Sequence, residues 1–306
     1  MSTSSTLSPP RLAVLGAFAI VYVIWGSTYL AILFAIETVP PFLMASARFL
    51  LAGSVLYAWS RTAGRAAPPS PAQWRAAALV GVLLLFGGNG LVTWSEQRVP
   101  SGMAALLVGT VPCFMVLLDW LRPDGTRPSG RVAAGLVLGL LGLVWLVGPD
   151  SVMGGGRADL IGAAALVLAS FSWAVGSIYS RQSPMPGSPF LSTAMQMLAG
   201  GVALLVLSVA LGEPWRFAPA ALSPRSALGF LYLVVFGSIV AFSAYIWLLR
   251  VSTPARVSTY AYVNPVVAVL LGAAFANEAL TTRMLVAAAV IVSGVALITL
   301  APRRAP

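Results

Sequence analysis

Histidine and lysine are absent from this chain, cysteine occurs once, and only eight of its 306 residues are acidic. Without histidine there is no imidazole for a zinc site, for general acid–base work or for activating a nucleophile. A lone Cys113 excludes an intramolecular disulfide and a thiolate metal cluster. No Gly-rich phosphate loop of the Walker type is present, so ATP is not the energy source. The expectation is no metal, no cofactor and no enzyme activity. Charge is scarce too: 8% of positions are charged and 59% hydrophobic, where a soluble domain carries about 25% charged residues. Mean hydropathy is +0.92, so lipid is the main solvent. The net charge of +10 comes from eighteen arginines spread as ones and twos. That is not the basic stripe a phosphate backbone needs. Nucleic acid is excluded, leaving the lipid bilayer and a small-molecule substrate as partners.

What the chain does have is long apolar runs. Crossing a hydrocarbon core takes about 20 residues, and ten segments qualify: 12–36, 41–59, 74–95, 101–121, 131–148, 159–181, 189–212, 225–249, 254–275 and 283–301. The first is too long for a signal-peptide core and reads as an uncleaved span. Pro41, Pro189 and Pro254 stand at segment starts, where a missing N–H costs nothing. With the N-terminus placed in the cytoplasm, twelve arginines fall on that side and five on the other, Arg48 lying within a span. Arginine bias of this kind sets orientation, so both termini are expected in the cytoplasm. Glu37, Glu96, Asp150, Asp159, Glu213 and Glu278 then fall outside, and no carboxylate is expected at mid-depth.

The chain also reads the same way twice. A slip of 148 residues lays Trp25 on Trp173, Pro41-Phe42-Leu43 on Pro189-Phe190-Leu191, Leu50 on Leu198 and Gly53 on Gly201. A slip of 153 lays Trp94 on Trp247 and Pro112 on Pro265. The expected fold is therefore an all-α membrane protein of ten transmembrane helices in two inverted five-helix repeats, 12–148 and 159–301, with tails 1–11 and 302–306. An odd number of spans per repeat inserts the second half upside down, the usual basis of alternating access.

Trp25-Gly26-Ser27-Thr28 in the first span and Ala47-Arg48-Phe49 in the second resemble the EamA branch of the drug/metabolite transporter superfamily. So do Tyr262-Val263-Asn264-Pro265-Val266-Val267-Ala268 in the ninth span and the following Asn277-Glu278-Ala279-Leu280-Thr281. The resemblance covers about residues 12–301. It implies a bacterial inner-membrane carrier exporting amino acids, related metabolites or drugs. It further implies that four helices of each half surround a central cavity while the fifth packs outside.

Trp25 and Trp173 lie deep in their spans as repeat mates, which favours a cavity over an interfacial belt; two indoles there offer faces to a planar substrate and cation–π attraction to an amine. Tyr29, Asn89, Trp94, Tyr260 and Asn264 complete the candidate substrate-binding set, Tyr260 and Asn264 being one helical turn apart. Pro112 and Pro265 each remove a hydrogen bond within a span, as a gate, a hinge or a packing kink. Arg48 and its mate Gln196 are intramembrane polar residues. Arg48 either captures a substrate carboxylate or pairs structurally with Glu37 or Glu278. The expected function is export of small metabolites, amino acids with aromatic or apolar side chains first among them, by a monomer or homodimer. Efflux of drug-like or cationic compounds is the alternative within the fold. Phosphorylated substrates would need more cavity arginines than Arg48. A membrane-embedded enzyme would need a catalytic constellation that these residue types do not supply.

Overall fold

The computed structural model describes residues 10–99, 101–123, 125–147, 160–275 and 281–301, and every regular element among them is helical. The helices are α1 (Arg11–Ile36), α2 (Pro41–Arg61), α3 (Pro71–Ser95), α4 (Ser101–Val108), α5 (Val111–Trp120), α6 (Gly130–Val147), α7 (Leu160–Gln182), α8 (Pro189–Ala210), α9 (Pro224–Val251), α10 (Tyr260–Phe275) and α11 (Thr282–Thr299). Seven of these (α1, α2, α3, α7, α8, α9 and α11) are long and apolar enough to cross a membrane. The expected fourth and ninth spans are interrupted. Helix α4 stops at Val108 before α5 begins, and a short helix Pro254–Val257 precedes α10. The tails 1–9 and 302–306, and the stretch Asn277–Leu280 with Glu278, lie outside the described residues.

Local chemistry sets the boundaries. Pro41, Pro71, Pro189, Pro224 and Pro254 occupy first-turn positions. Ser70 and Gln73 form a reciprocal capping box on α3, while Ser188, Ser223 and Thr281 cap α8, α9 and α11. Each such cap contributes about 1 kcal/mol. Leu12, Leu30, Val55, Leu141, Phe171, Val206, Leu228, Phe236 and Leu285 face outward on the bundle perimeter. An apolar perimeter of that extent belongs in lipid rather than water.

The helices pack in reciprocal pairs. A Cβ built on Gly53 of α2 meets the backbone nitrogen of Leu198 at 3.1 Å, and one built on Gly201 of α8 meets that of Leu50 at 3.1 Å. Gly135 and Gly294 bring α6 and α11 together in the same mutual way, the built Cβ of each lying 2.7–2.8 Å from the other's carbonyl oxygen. Such close backbone approach is how helices gain packing energy in lipid. Helix α1 lies along α9 and α10, as α7 lies along α3 and the α4–α5 pair. The helices that coincide when the sequence is slipped by 148, α2 and α8, thus pack against each other, Gly53 on Leu198 and Gly201 on Leu50.

The two halves also share an irregularity. The middle of α3, Val82–Gly90, and the middle of α9, Leu233–Phe242, are wound as π-helix. Pro112 does not kink a continuous helix as expected. It sits in the first turn of α5, just after the break at Gly109-Thr110, where the carbonyl of Leu107 accepts from Thr110 Oγ1 at 2.6 Å and from Ser170 Oγ at 3.3 Å. Pro265 does lie inside its helix, α10.

Candidate functional site

A cavity of about 90 Å³ lies between the two halves. Its floor is aromatic. Trp25 packs edge-on against Trp173 with ring centroids 5.5 Å apart and against Tyr260 at 5.0 Å. Phe242 lies 6.2 Å from Trp173, and Tyr245, beneath, is 5.0 Å from Trp25 and 5.4 Å from Trp173. Edge-to-face pairs of this kind contribute about 0.5–1.5 kcal/mol each beyond their buried area. The tips of both indoles and of Tyr245 are already bonded. Trp25 Nε1 donates to the Gly237 carbonyl at 3.1 Å, Trp173 Nε1 donates to Tyr245 Oη at 2.8 Å, and Tyr245 Oη pairs with Ser177 Oγ at 2.6 Å. The floor therefore offers ring surface, not N–H donors. The two indoles also touch each other and leave no slot between them, so a planar substrate would rest on the floor.

The walls rise from this floor toward the end of the bundle that carries residues 37–40 and 211–223. Thr28, Tyr29 and Ile32 line one side from α1, and Leu85, Gly88, Asn89 and Val92 line another from α3. The π-wound middles of α3 and α9 supply Leu85, Gly88, Asn89, Gly237 and Phe242 to the lining. Irregular winding of this sort recurs at functional sites because it frees backbone groups and re-aims side chains. Asn264 ties the cavity to α1: its amide nitrogen, oriented to satisfy both ends, donates to the carbonyls of Tyr260 at 2.9 Å and Tyr22 at 3.3 Å.

Arg48 lines the cavity and is 3% exposed. Its Nε donates to Ser238 Oγ at 2.7 Å, and its guanidinium lies 4.8 Å from the Phe49 ring centroid. Its Nη1 is buried and has no hydrogen-bond partner. It does not pair with Glu37, which instead meets Arg225 at 3.4 Å. Gln196, its repeat mate, is fully buried but outside the lining, donating to Ser192 Oγ at 3.1 Å where α8 meets α3. Trp94 also stands outside the lining, with the Arg98 guanidinium 4.6 Å from its ring centroid.

The structure thus brings Trp25, Tyr29, Arg48, Asn89, Trp173, Tyr260 and Asn264 to one cavity, and not Trp94, Gln196, Pro112 or Pro265. It adds Thr28, Phe242 and Ser170 to the lining. It also corrects the placement of Glu96 in an exterior loop. That residue follows α3 yet is 9% exposed, with both carboxylate oxygens buried.

At the other end the bundle is closed. Val21, Ile246, Leu249 and Val257 are all buried there. Tyr22 Oη meets Thr259 Oγ1 at 2.5 Å, and Arg181 Nη1 donates to the carbonyls of Leu249 and Ser252 at 2.6 Å each. The result is a cavity offset toward one end of the bundle, with an aromatic plug beneath it. Among the described residues no group of three or more His, Cys, Asp or Glu side chains is placed to hold a metal ion.

Comparison with known proteins fits this geometry. The EamA-like transporter family matches twice, over residues 12–148 and 160–300. The chain is 42% identical over 290 residues to YedA of Escherichia coli strain K12, described as an uncharacterized inner membrane transporter, covering 94% of this chain and 91% of that one. It is 27% identical over 282 residues to the protein PecM of Dickeya dadantii, covering 90% and 88%. A solved crystal structure with 24% sequence identity superposes with a TM-score of 0.75, covering 96% of this chain and 99% of the other, and so shares the fold. Two family matches, a multi-pass apolar helical bundle and a cavity between reciprocal halves agree: the chain belongs to the EamA-like transporter family.

Proposed function

We propose that this membrane transporter is a ten-span secondary carrier of the bacterial inner membrane, with inverted halves and both termini in the cytoplasm. It exports small metabolites, amino acids with aromatic or apolar side chains first among them, by alternating access. The observation that carries the reading is the cavity between the halves, offset toward one end, floored by Trp25, Trp173, Phe242 and Tyr260 and holding Arg48 above. Ring surface suits an apolar or aromatic side chain. The unpaired Arg48 Nη1 suits a carboxylate. With the N-terminus inside, the cavity faces outward.

Counterflow in proteoliposomes tests this, with labelled Trp, Phe, Thr, Lys and Glu. Protein-dependent exchange restricted to aromatic and apolar amino acids is expected. Exchange of organic cations with none of the amino acids would replace the amino-acid reading with cation efflux, to which the same ring surface is suited.

A further inference from the structure

Arg48 Nη1 and both carboxylate oxygens of Glu96 are buried without a hydrogen-bond partner. The end of α3 that carries Glu96 packs against α2, which carries Arg48, yet among the described residues neither side chain is in an ion pair. The other described carboxylates at this end are engaged. Glu37 meets Arg225, and Glu213 accepts from the backbone nitrogens of Phe42 and Leu43 and from Ser208 Oγ. A lone anion would complete only Arg48, and a lone cation only Glu96. A molecule with both charges on neighbouring atoms completes the two together.

The Glu96 backbone nitrogen bonds the carbonyl of Val92, so Glu96 stands just outside the lining, one turn beyond a lining residue on the same side of α3.

Resting on the amino-acid reading above, we infer that Arg48 and Glu96 form the head-group site of a zwitterion, Arg48 receiving the α-carboxylate and Glu96 the α-ammonium while the side chain points to the aromatic floor. The transported class is then free α-amino acids, not amines or carboxylic acids of the same shape.

The test is competition against labelled phenylalanine exchange in proteoliposomes, using phenylalanine, phenethylamine and 3-phenylpropionate. In the wild type both analogues are expected to compete roughly ten-fold or more weakly than phenylalanine, the loss of one charge-assisted hydrogen bond. Glu96→Gln should weaken phenylalanine roughly ten-fold and leave 3-phenylpropionate where it was. Arg48→Gln should weaken phenylalanine and leave phenethylamine. If either analogue competes as well as phenylalanine in the wild type, the inference is overturned. It is equally overturned if Glu96→Gln weakens 3-phenylpropionate as much as phenylalanine, which marks a structural carboxylate. Absence of any amino-acid exchange in the wild type sinks the parent reading instead.

Discussion

Two side chains of the cavity converge on Gly237. Its carbonyl accepts from Trp25, and a Cβ built on it would stand 2.9 Å from Arg48 Nη2. Because the obstructing atom is the far end of a flexible side chain, Gly237→Ala should fold and displace Arg48 from Ser238. Substrate affinity is expected to fall about ten-fold, the worth of a hydrogen bond to a charged group. In a double-mutant cycle the change should add nothing to Arg48→Ala; additive losses would mean that Gly237 acts through Trp25 alone. Trp25→Ala and Trp173→Ala remove ring surface from the floor, and each should cut exchange about ten-fold while leaving membrane insertion intact. Wild-type flux in both would sink the floor as a substrate surface. These two indoles were visible in the sequence because duplication set them on each other deep inside apolar runs. Glu96 was not, because hydropathy ends the third span at Ser95 and treats the next polar residue as solvated. Burial of that carboxylate depends on how α2 and α7 pack against the end of α3, a tertiary fact with no local signature. Trp94 stands outside the lining, because a repeat mate in Trp247 marks equivalence between halves and not which way a ring points.

The elements were legible where boundaries are chemical. Proline at a first turn and serine or threonine caps fix the starts of α2, α3, α8, α9 and α11 within a few residues. The winding inside α3 and α9 was not legible, since nine or ten apolar residues fit π-helix or α-helix equally well by composition. Both π-wound stretches line the cavity, and the regular pair α6 and α11 does not. That pair packs glycine to glycine away from the lining. Gly294→Val therefore forces a side chain against the Gly135 backbone, where nothing flexible can yield, and overpacking costs about 1–3 kcal/mol. The expected result is a lower thermal midpoint in detergent with an unchanged KM for exchange by the surviving protein. A changed KM at unchanged stability would place α11 among the transport helices.

Alternation requires the closed end to open, and its fastenings are few enough to name. Arg181 reaches from α7 to hold two carbonyls at the end of α9, and Tyr22 joins α1 to Thr259. Each hydrogen bond from a charged donor stabilises the closed end by about 1.5–3 kcal/mol. A ligand or mutation shifts the two-state balance only by what it adds to one state over the other. Arg181→Ala removes two such bonds from one state, so it should raise the population open at that end by ten-fold or more. Accessibility reads this directly. On a Cys113→Ala background, Val92→Cys in the cavity wall should react with a membrane-impermeant thiol reagent added outside intact cells. Leu249→Cys should be silent there and nearly silent in inverted vesicles. Adding Arg181→Ala should make Leu249→Cys reactive in inverted vesicles and slow Val92→Cys in cells, because one bundle cannot be open at both ends. If both sites became faster together, the Arg181 contacts would be holding the fold rather than a state. If Leu249→Cys alone reacted from outside, the chain would be inserted the other way up.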